Sequence, residues 1–488
     1  MSVFLHQIQL ACTLLLLCCS FAWTEERPRH PRELVYPELR FSRPEVERVV
    51  FDSGFVIYLR EDRRLPILDL YAVTRTGAVY DPTGKLGLAN MTGVVMRTGG
   101  TKDRSGDEID EQLEFMGASI EVDIGRERGT ARMACMSEHV DSVLPIFAEI
   151  LMRPEFREGK LEFRKKQVME LIRRRNDQPR DIIDREFARA VYGDHAYGRP
   201  IEGEADTVSQ MSRADLFDFH KGYYSPGNTI LGVAGDFQRD AMLERLREVF
   251  GSWARGETVS PEVSRLPEGG VPVGAVYYYP KDLTQTSVRF GHLGIRRTDK
   301  DYIPVQIMNF ILGGGSFASR LMTKVRSDEG LAYSVYSRFS PSRDRGLFIV
   351  HAETKAESTI RALRLMKMEV RRICEELVTE DELKTAKESY VNRFVFDFTN
   401  ARDIVTERVN IEYDGLPLDY LDTYCGKVAQ VTREDILRVA KKWLHPESLR
   451  ILVVGNAERF DGALEEFGPV HVLEARDYAA EVDAALSR

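Results

Sequence analysis

The chain has 488 residues, 43% of them hydrophobic and 30% charged, a balance that excludes a disordered or membrane-filling chain and allows a core that needs no disulfide staples. By length it holds roughly two to four domains. Its net charge of −9 argues against nucleic acid as a partner, because phosphate binding needs clustered Lys and Arg.

The first 24 residues carry no Lys, Arg, Asp or Glu. Leu10 to Cys19 is an apolar run, and Ser20-Phe21-Ala22 supplies small residues for a cleavage site. This pattern predicts a signal peptide over 1–22 and an exported protein, periplasmic or secreted. An uncleaved anchor is the alternative, because the uncharged stretch is nearly long enough to span a bilayer. Of six cysteines, Cys12, Cys18 and Cys19 lie in this segment. Cys135, Cys374 and Cys425 remain, far apart and odd in number, so no disulfide framework or Cys-x-x-Cys metal site is expected.

Residues 23–45, rich in Pro, Arg and Glu, read as an extended lead-in. Val49-Val50-Phe51 and Phe55 to Leu59 flank Asp52-Ser53-Gly54 as a hairpin. Leu68 to Thr74 is a strand, and Leu86 to Arg97 a helix with Leu88, Met91, Val94 and Val95 at core spacing. Ser105-x-x-Glu108 is a capping box. Strands at Ile120–Ile124 and Thr130–Met136 follow, then helices at Val140–Leu151, Glu158–Asn176 and Asp181–Val191. Arg173-Arg174-Arg175 reads as a solvated helix face.

The pattern then repeats. Ser212-Arg213-Ala214-Asp215-Leu216, Tyr224-Ser225-Pro226 and the strand Thr229 to Ala234 return 220 residues later as Thr432-Arg433-Glu434-Asp435-Ile436, Leu444-His445-Pro446 and the strand Leu449 to Val454. A repeat this long is a duplicated domain, not a solenoid unit. The fold class expected is α+β, in two homologous domains, each an antiparallel-rich sheet with helices packed on one face. Their expected bounds are 46–254 and 273–460, joined by a Pro/Gly-rich linker at 255–272 and followed by a tail at 461–488 that predicts no element.

The nine histidines include no pair spaced three to five apart, and no nucleophile elbow, Walker loop or dinucleotide fingerprint occurs. The ordered motifs Gly87-Leu88-Ala89, Tyr197-Gly198-Arg199-Pro200-Ile201, Tyr224-Ser225-Pro226-Gly227-Asn228, Leu312-Gly313-Gly314-Gly315, Ser319-Arg320-Leu321 and Gly330-Leu331-Ala332-Tyr333 resemble those of the pitrilysin/insulinase zinc metallopeptidases, over roughly residues 45–460. In such enzymes His-x-x-Glu-His on a helix supplies two zinc ligands and a general base, and a later Glu is the third ligand. Aligned on Gly87-Leu88-Ala89, the first His falls on Asn90, the base on Gly93 and the second His on Val94, with the third ligand on Glu170, 76 residues after Val94. One group of four survives, so no metal or other cofactor is expected in this chain. Glu170 is expected as a salt-bridged surface residue.

The resemblance also implies a peptide-binding role for Arg326 and Tyr333, seven residues apart, which would hold the substrate main chain and an oxyanion. It further implies substrate contact by the glycine run Gly313, Gly314 and Gly315. The reading that follows is an inactive subunit of a two-chain peptidase. Its partner would carry His-x-x-Glu-His and the zinc, and a homodimer is a further possibility. The alternatives are a structural assembly protein of the core-protein type and an active enzyme with rearranged ligands.

Overall fold

A computed structural model describes residues 45–255, 265–266 and 274–488. The expected signal peptide, nearly all of the lead-in and most of the linker lie outside the described residues. The first half contains β1 (Glu47–Val50), β2 (Val56–Glu61), β3 (Ile67–Thr74), α1 (Leu88–Thr98), α2 (Gly106–Phe115), β4 (Ser119–Ile124), β5 (Gly129–Met136), α3 (Val140–Met152), α4 (Glu158–Arg173), α5 (Pro179–Tyr192), α6 (Ala205–Ser209), α7 (Arg213–Tyr223), β6 (Thr229–Gly235) and α8 (Arg239–Phe250). The second contains β7 (Val276–Pro280), β8 (Gln285–Leu293), α9 (Tyr302–Asn309), β9 (Ala332–Ser340), β10 (Leu347–Lys355), α10 (Thr359–Glu375), α11 (Glu380–Phe396), α12 (Ala401–Tyr413), α13 (Tyr420–Gln430), α14 (Arg433–Trp443), β11 (Arg450–Gly455), β12 (Val470–Val472) and α15 (Tyr478–Leu486).

Each half forms a six-stranded sheet, in the orders β1-β2-β6-β3-β5-β4 and β12-β7-β11-β8-β10-β9. The sheets are mixed: β2 runs parallel to β6, and β7 runs parallel to β11 and β12, while the remaining pairs are antiparallel. The repeat seen in sequence is a repeat of helix starts. Ser212 with Asp215, and Thr432 with Asp435, form capping boxes that open α7 and α14.

The central strands of both sheets, such as β6 and β8, are buried on two faces, and the reason is an exchange of helices. On one face, each half packs its own helices into its main core, with Val95, Phe147 and Leu246 against Ile57, Leu70 and Met133 in the first half. On the other face, the covering helix belongs to the opposite half. Helix α5 buries Ile182, Ile183, Phe187 and Val191 against Tyr279, Leu293, Ile349, Leu452 and Val454 of the second sheet. Helix α12 buries Val405, Val409 and Tyr413 against Tyr58, Tyr71, Val73 and Ile230 of the first. Gly232 on β6 makes room for it, since a Cβ there would lie 2.5 Å from Val405 Cγ1.

The segment 461–488 folds. Strand β12 extends the second sheet, and α15 returns to the first half, where Tyr478, Val482 and Ala485 enter the main core.

Candidate functional site

Asn90, Gly93 and Val94 all lie on α1. Asp81 opens this helix, accepting hydrogen bonds from Gly87 N and Ala89 N, each at 2.8 Å. Burial pushes the Asp81 carboxyl up to about 7, against the opposing pull of those amides and of Arg199. Gly93 is buried against β4, and a Cβ on it would stand 2.7 Å from Ile124 N and 2.8 Å from Ile124 Cγ1. Real side chains do not tolerate such contacts with backbone, so the position aligned with a general base has no room for one. Val94 lines a cleft of about 540 Å³ with Arg97, Asp110 and the edge-strand residues Ile120 and Val122.

The α4 side chain that hydrogen-bonds to Asn90 is Arg164, whose Nη2 donates to Asn90 Oδ1 at 3.2 Å. Glu170 lies on the exposed face of α4, where its Oε1 accepts from Arg174 Nε at 2.5 Å and Arg173 stands 3.8 Å away. These residues do not fit zinc. One is an amide already bound to a guanidinium, two have no donor atom, and the carboxylate is held by arginines. A dication would also sit beside the positive charge of Arg164. Among the described residues, no group of three or more His, Cys, Asp and Glu gathers elsewhere. The buried histidines are structural: burial lowers His220 to about 4, His292 to about 3 and His351 to about 4, so all are neutral at pH 7.

In the second half, α9 runs into a π-helical turn, Phe310–Gly314, that lies flat on β9. Gly313 permits this, because a Cβ there would collide with the backbone of Ser337, and Asn309 and Ser337 lock the contact with reciprocal hydrogen bonds. Gly314 packs on the Asn309 side chain and Gly315 on the Phe310 ring. The glycine run is thus a packing device whose effect is to present the next residues. Ser316 takes a positive φ of 51°, and Phe317 projects 67% exposed. Arg326 stands between two rings, its Cζ 5.1 Å from the centroids of both Phe317 and Tyr333. Tyr333 is 82% exposed at the start of the edge strand β9. The two rings flank the guanidinium, and its Nη1 makes a weak hydrogen bond to Met322 Sδ at 4.0 Å. Arg164 and Phe317 were missed in the sequence: nothing marks an arginine that bonds across 74 residues, while an aromatic following three glycines is a signal that could have been read.

Residues 70–205 match the family model described as insulinase (peptidase family M16), and residues 210–390 match the one described as peptidase M16 inactive domain. The chain belongs to the M16 peptidase family. Among curated relatives, an uncharacterized zinc protease of Rickettsia bellii is 26% identical over 64% of this chain and 74% of its own. The uncharacterized zinc protease YmxG of Bacillus subtilis is 27% identical over 59% and 69%. A crystal structure of a peptidase M16 inactive domain from Pseudomonas fluorescens superposes with a TM-score of 0.79, at 26% identity over 85% of this chain and 98% of that one. A protease from Helicobacter pylori shares the fold with a TM-score of 0.76, at 20% identity over 84% and 99%.

Proposed function

We propose that this M16 chain is the non-catalytic subunit of a two-chain peptidase, paired with a second M16 chain that carries His-x-x-Glu-His and zinc. The observation that carries the reading is the contact between Gly93 and Ile124, which leaves no space for a general base. Arg164 on Asn90 likewise occupies the position aligned with the first ligand with a hydrogen bond inside the chain. The second half meanwhile keeps Arg326, flanked by two rings and bonded only weakly to Met322 Sδ, beside the edge strand β9. Its role is to grip an extended peptide, with β9 available for main-chain pairing and Arg326 and Tyr333 donating to a carbonyl or developing oxyanion. The chain acts after export, with residues 1–22 removed. N-terminal sequencing of the protein recovered from its native cells tests that part.

The deciding experiment mixes the purified chain with the presumed partner and measures peptide cleavage against each alone. Cleavage that rises on mixing and falls with Arg326→Ala is the expected result. A partner fully active alone, unaffected by this chain in either form, would sink the reading. Stoichiometric zinc in the isolated chain would sink it from the other side.

A further inference from the structure

The duplication gives helices α1 and α4 counterparts in the second half. Helices α9 and α11 of the second half hold the places of α1 and α4, with α11 opening at Glu380, 222 residues after Glu158 opens α4. Between α9, α11, α12 and α13 lies a pocket of about 540 Å³. That is within the roughly 300–1,000 Å³ of sites that bury small ligands. Its walls are rings: Tyr302, Tyr390, Phe394, Phe398, Tyr420 and Tyr424. Phe394 stacks on Tyr424 with centroids 4.4 Å apart and meets Phe398 edge-on at 4.8 Å. Two buried donors on the lining have no partner, Gln306 Nε2 and Arg297 Nε.

The charges on the lining decide what can enter. Each charge on the lining already has a partner within the chain: Arg297 has Glu407, Arg393 has Asp397 at 3.7 Å, and Asp403 has Arg402 at 3.6 Å. Arg297 and Glu407 already pair with each other at 3.0 Å, so neither is free for a ligand of opposite sign. A neutral ring needs no counter-charge from these pairs and packs against six others, in the offset and edge-on arrangements the walls already use. We propose that this pocket receives an aromatic side chain of a bound peptide, one of whose carbonyl oxygens accepts from Gln306 Nε2. The proposal rests on the reading of the chain as a peptide-binding subunit, but the site is separate, since none of Phe317, Arg326 and Tyr333 lines it.

The test is calorimetric titration of the full chain with a short Ser/Gly peptide carrying one Phe, and with the same peptide carrying Lys or Glu in its place. The Phe peptide is expected to bind roughly tenfold more tightly than either. That preference should vanish in Tyr424→Ala, which removes a wall, and in Thr406→Trp, which fills the pocket, and should survive in Arg326→Ala. Equal binding of the three peptides overturns the proposal. So does a preference that persists in both pocket variants while their circular dichroism and Tm match the parent, and so does the absence of binding by every peptide. A Phe preference carried by the pocket, alongside a mixture with the partner that Arg326→Ala leaves unchanged, supports the pocket and overturns the subunit reading instead.

Discussion

Gly93 on α1 touches Ile124 on β4 so closely that a single added carbon would fall 2.7 Å from the strand's amide nitrogen. Restoring the motif letter by letter therefore should not restore a site. The triple variant Asn90→His, Gly93→Glu, Val94→His is expected to bind no stoichiometric zinc, measured by metal analysis after gel filtration. Gly93→Glu alone should lose about 2–4 kcal/mol of stability in urea denaturation, from overpacking plus a carboxylate without a partner. Zinc at one equivalent in the triple variant would show that α1 and β4 can separate.

Arg326 gives a prediction about shape as well as charge. Its guanidinium lies between the rings of Phe317 and Tyr333, so Arg326→Lys keeps the charge but loses the flat, multi-donor edge. In the activity of the mixed subunits, Arg326→Ala and Arg326→Lys should both lower kcat/KM by roughly ten- to a hundredfold, equivalent to about 1.4–2.8 kcal/mol. Phe317→Ala should cost less, because one ring still supports the guanidinium. Full activity in Arg326→Lys would mean that charge alone is used.

Much of this architecture was readable because it is written in local signals. Capping boxes at Ser212 and Thr432 announce the same helix twice, and alternating apolar residues announce β4 and β5. That Asn90, Gly93 and Val94 share one helix is legible from the apolar spacing of Leu88, Met91 and Val95. What was not readable is long-range choice. The apolar faces of α5 and α12 are evident in sequence, but the sheet each one covers is not, since either sheet offers aliphatic side chains. The bond from Arg164 to Asn90 is set by the approach of two helices. Helix α15 is rich in alanine, with few large apolar side chains, and Tyr478, Val482 and Ala485 gain meaning only from the groove they enter.

The exchange of α5 and α12 predicts that the halves stabilise each other. Phe187 is fully buried on the second sheet although it belongs to the first half. Phe187→Ala should cost about 3–5 kcal/mol, and Val409→Ala, in the reciprocal contact, about 1–3 kcal/mol. Each should shift one cooperative transition when fluorescence and circular dichroism are followed together. Either half produced alone would leave one sheet face uncovered and should aggregate, as judged by light scattering. A stable, monodisperse second half without α5 would contradict the exchange as an energetic necessity.

Asp81 supplies a pH signature for α1, the helix that carries Asn90, Gly93 and Val94. Its carboxyl is raised from 3.8 to about 7 by burial, so between these values the folded state binds a proton that the unfolded state has released. Stability from this group is therefore fully present below about pH 4 and falls as pH rises towards about 7, with a limiting slope of about 1.4 kcal/mol per pH unit. The buried histidines His220, His292 and His351 act in the opposite sense, since their lowered values make stability rise with pH up to about 6.5. The two contributions separate in a difference experiment. Urea midpoints of the parent and Asp81→Asn, measured from pH 4.5 to 8, should converge or cross, with the variant gaining on the parent as pH rises. Asparagine accepts only one of the two amide bonds that Gly87 and Ala89 offer, so its curve starts lower at acid pH, and the change in the gap carries the result. A gap constant across this range would mean that the amides of α1 keep Asp81 ionised throughout.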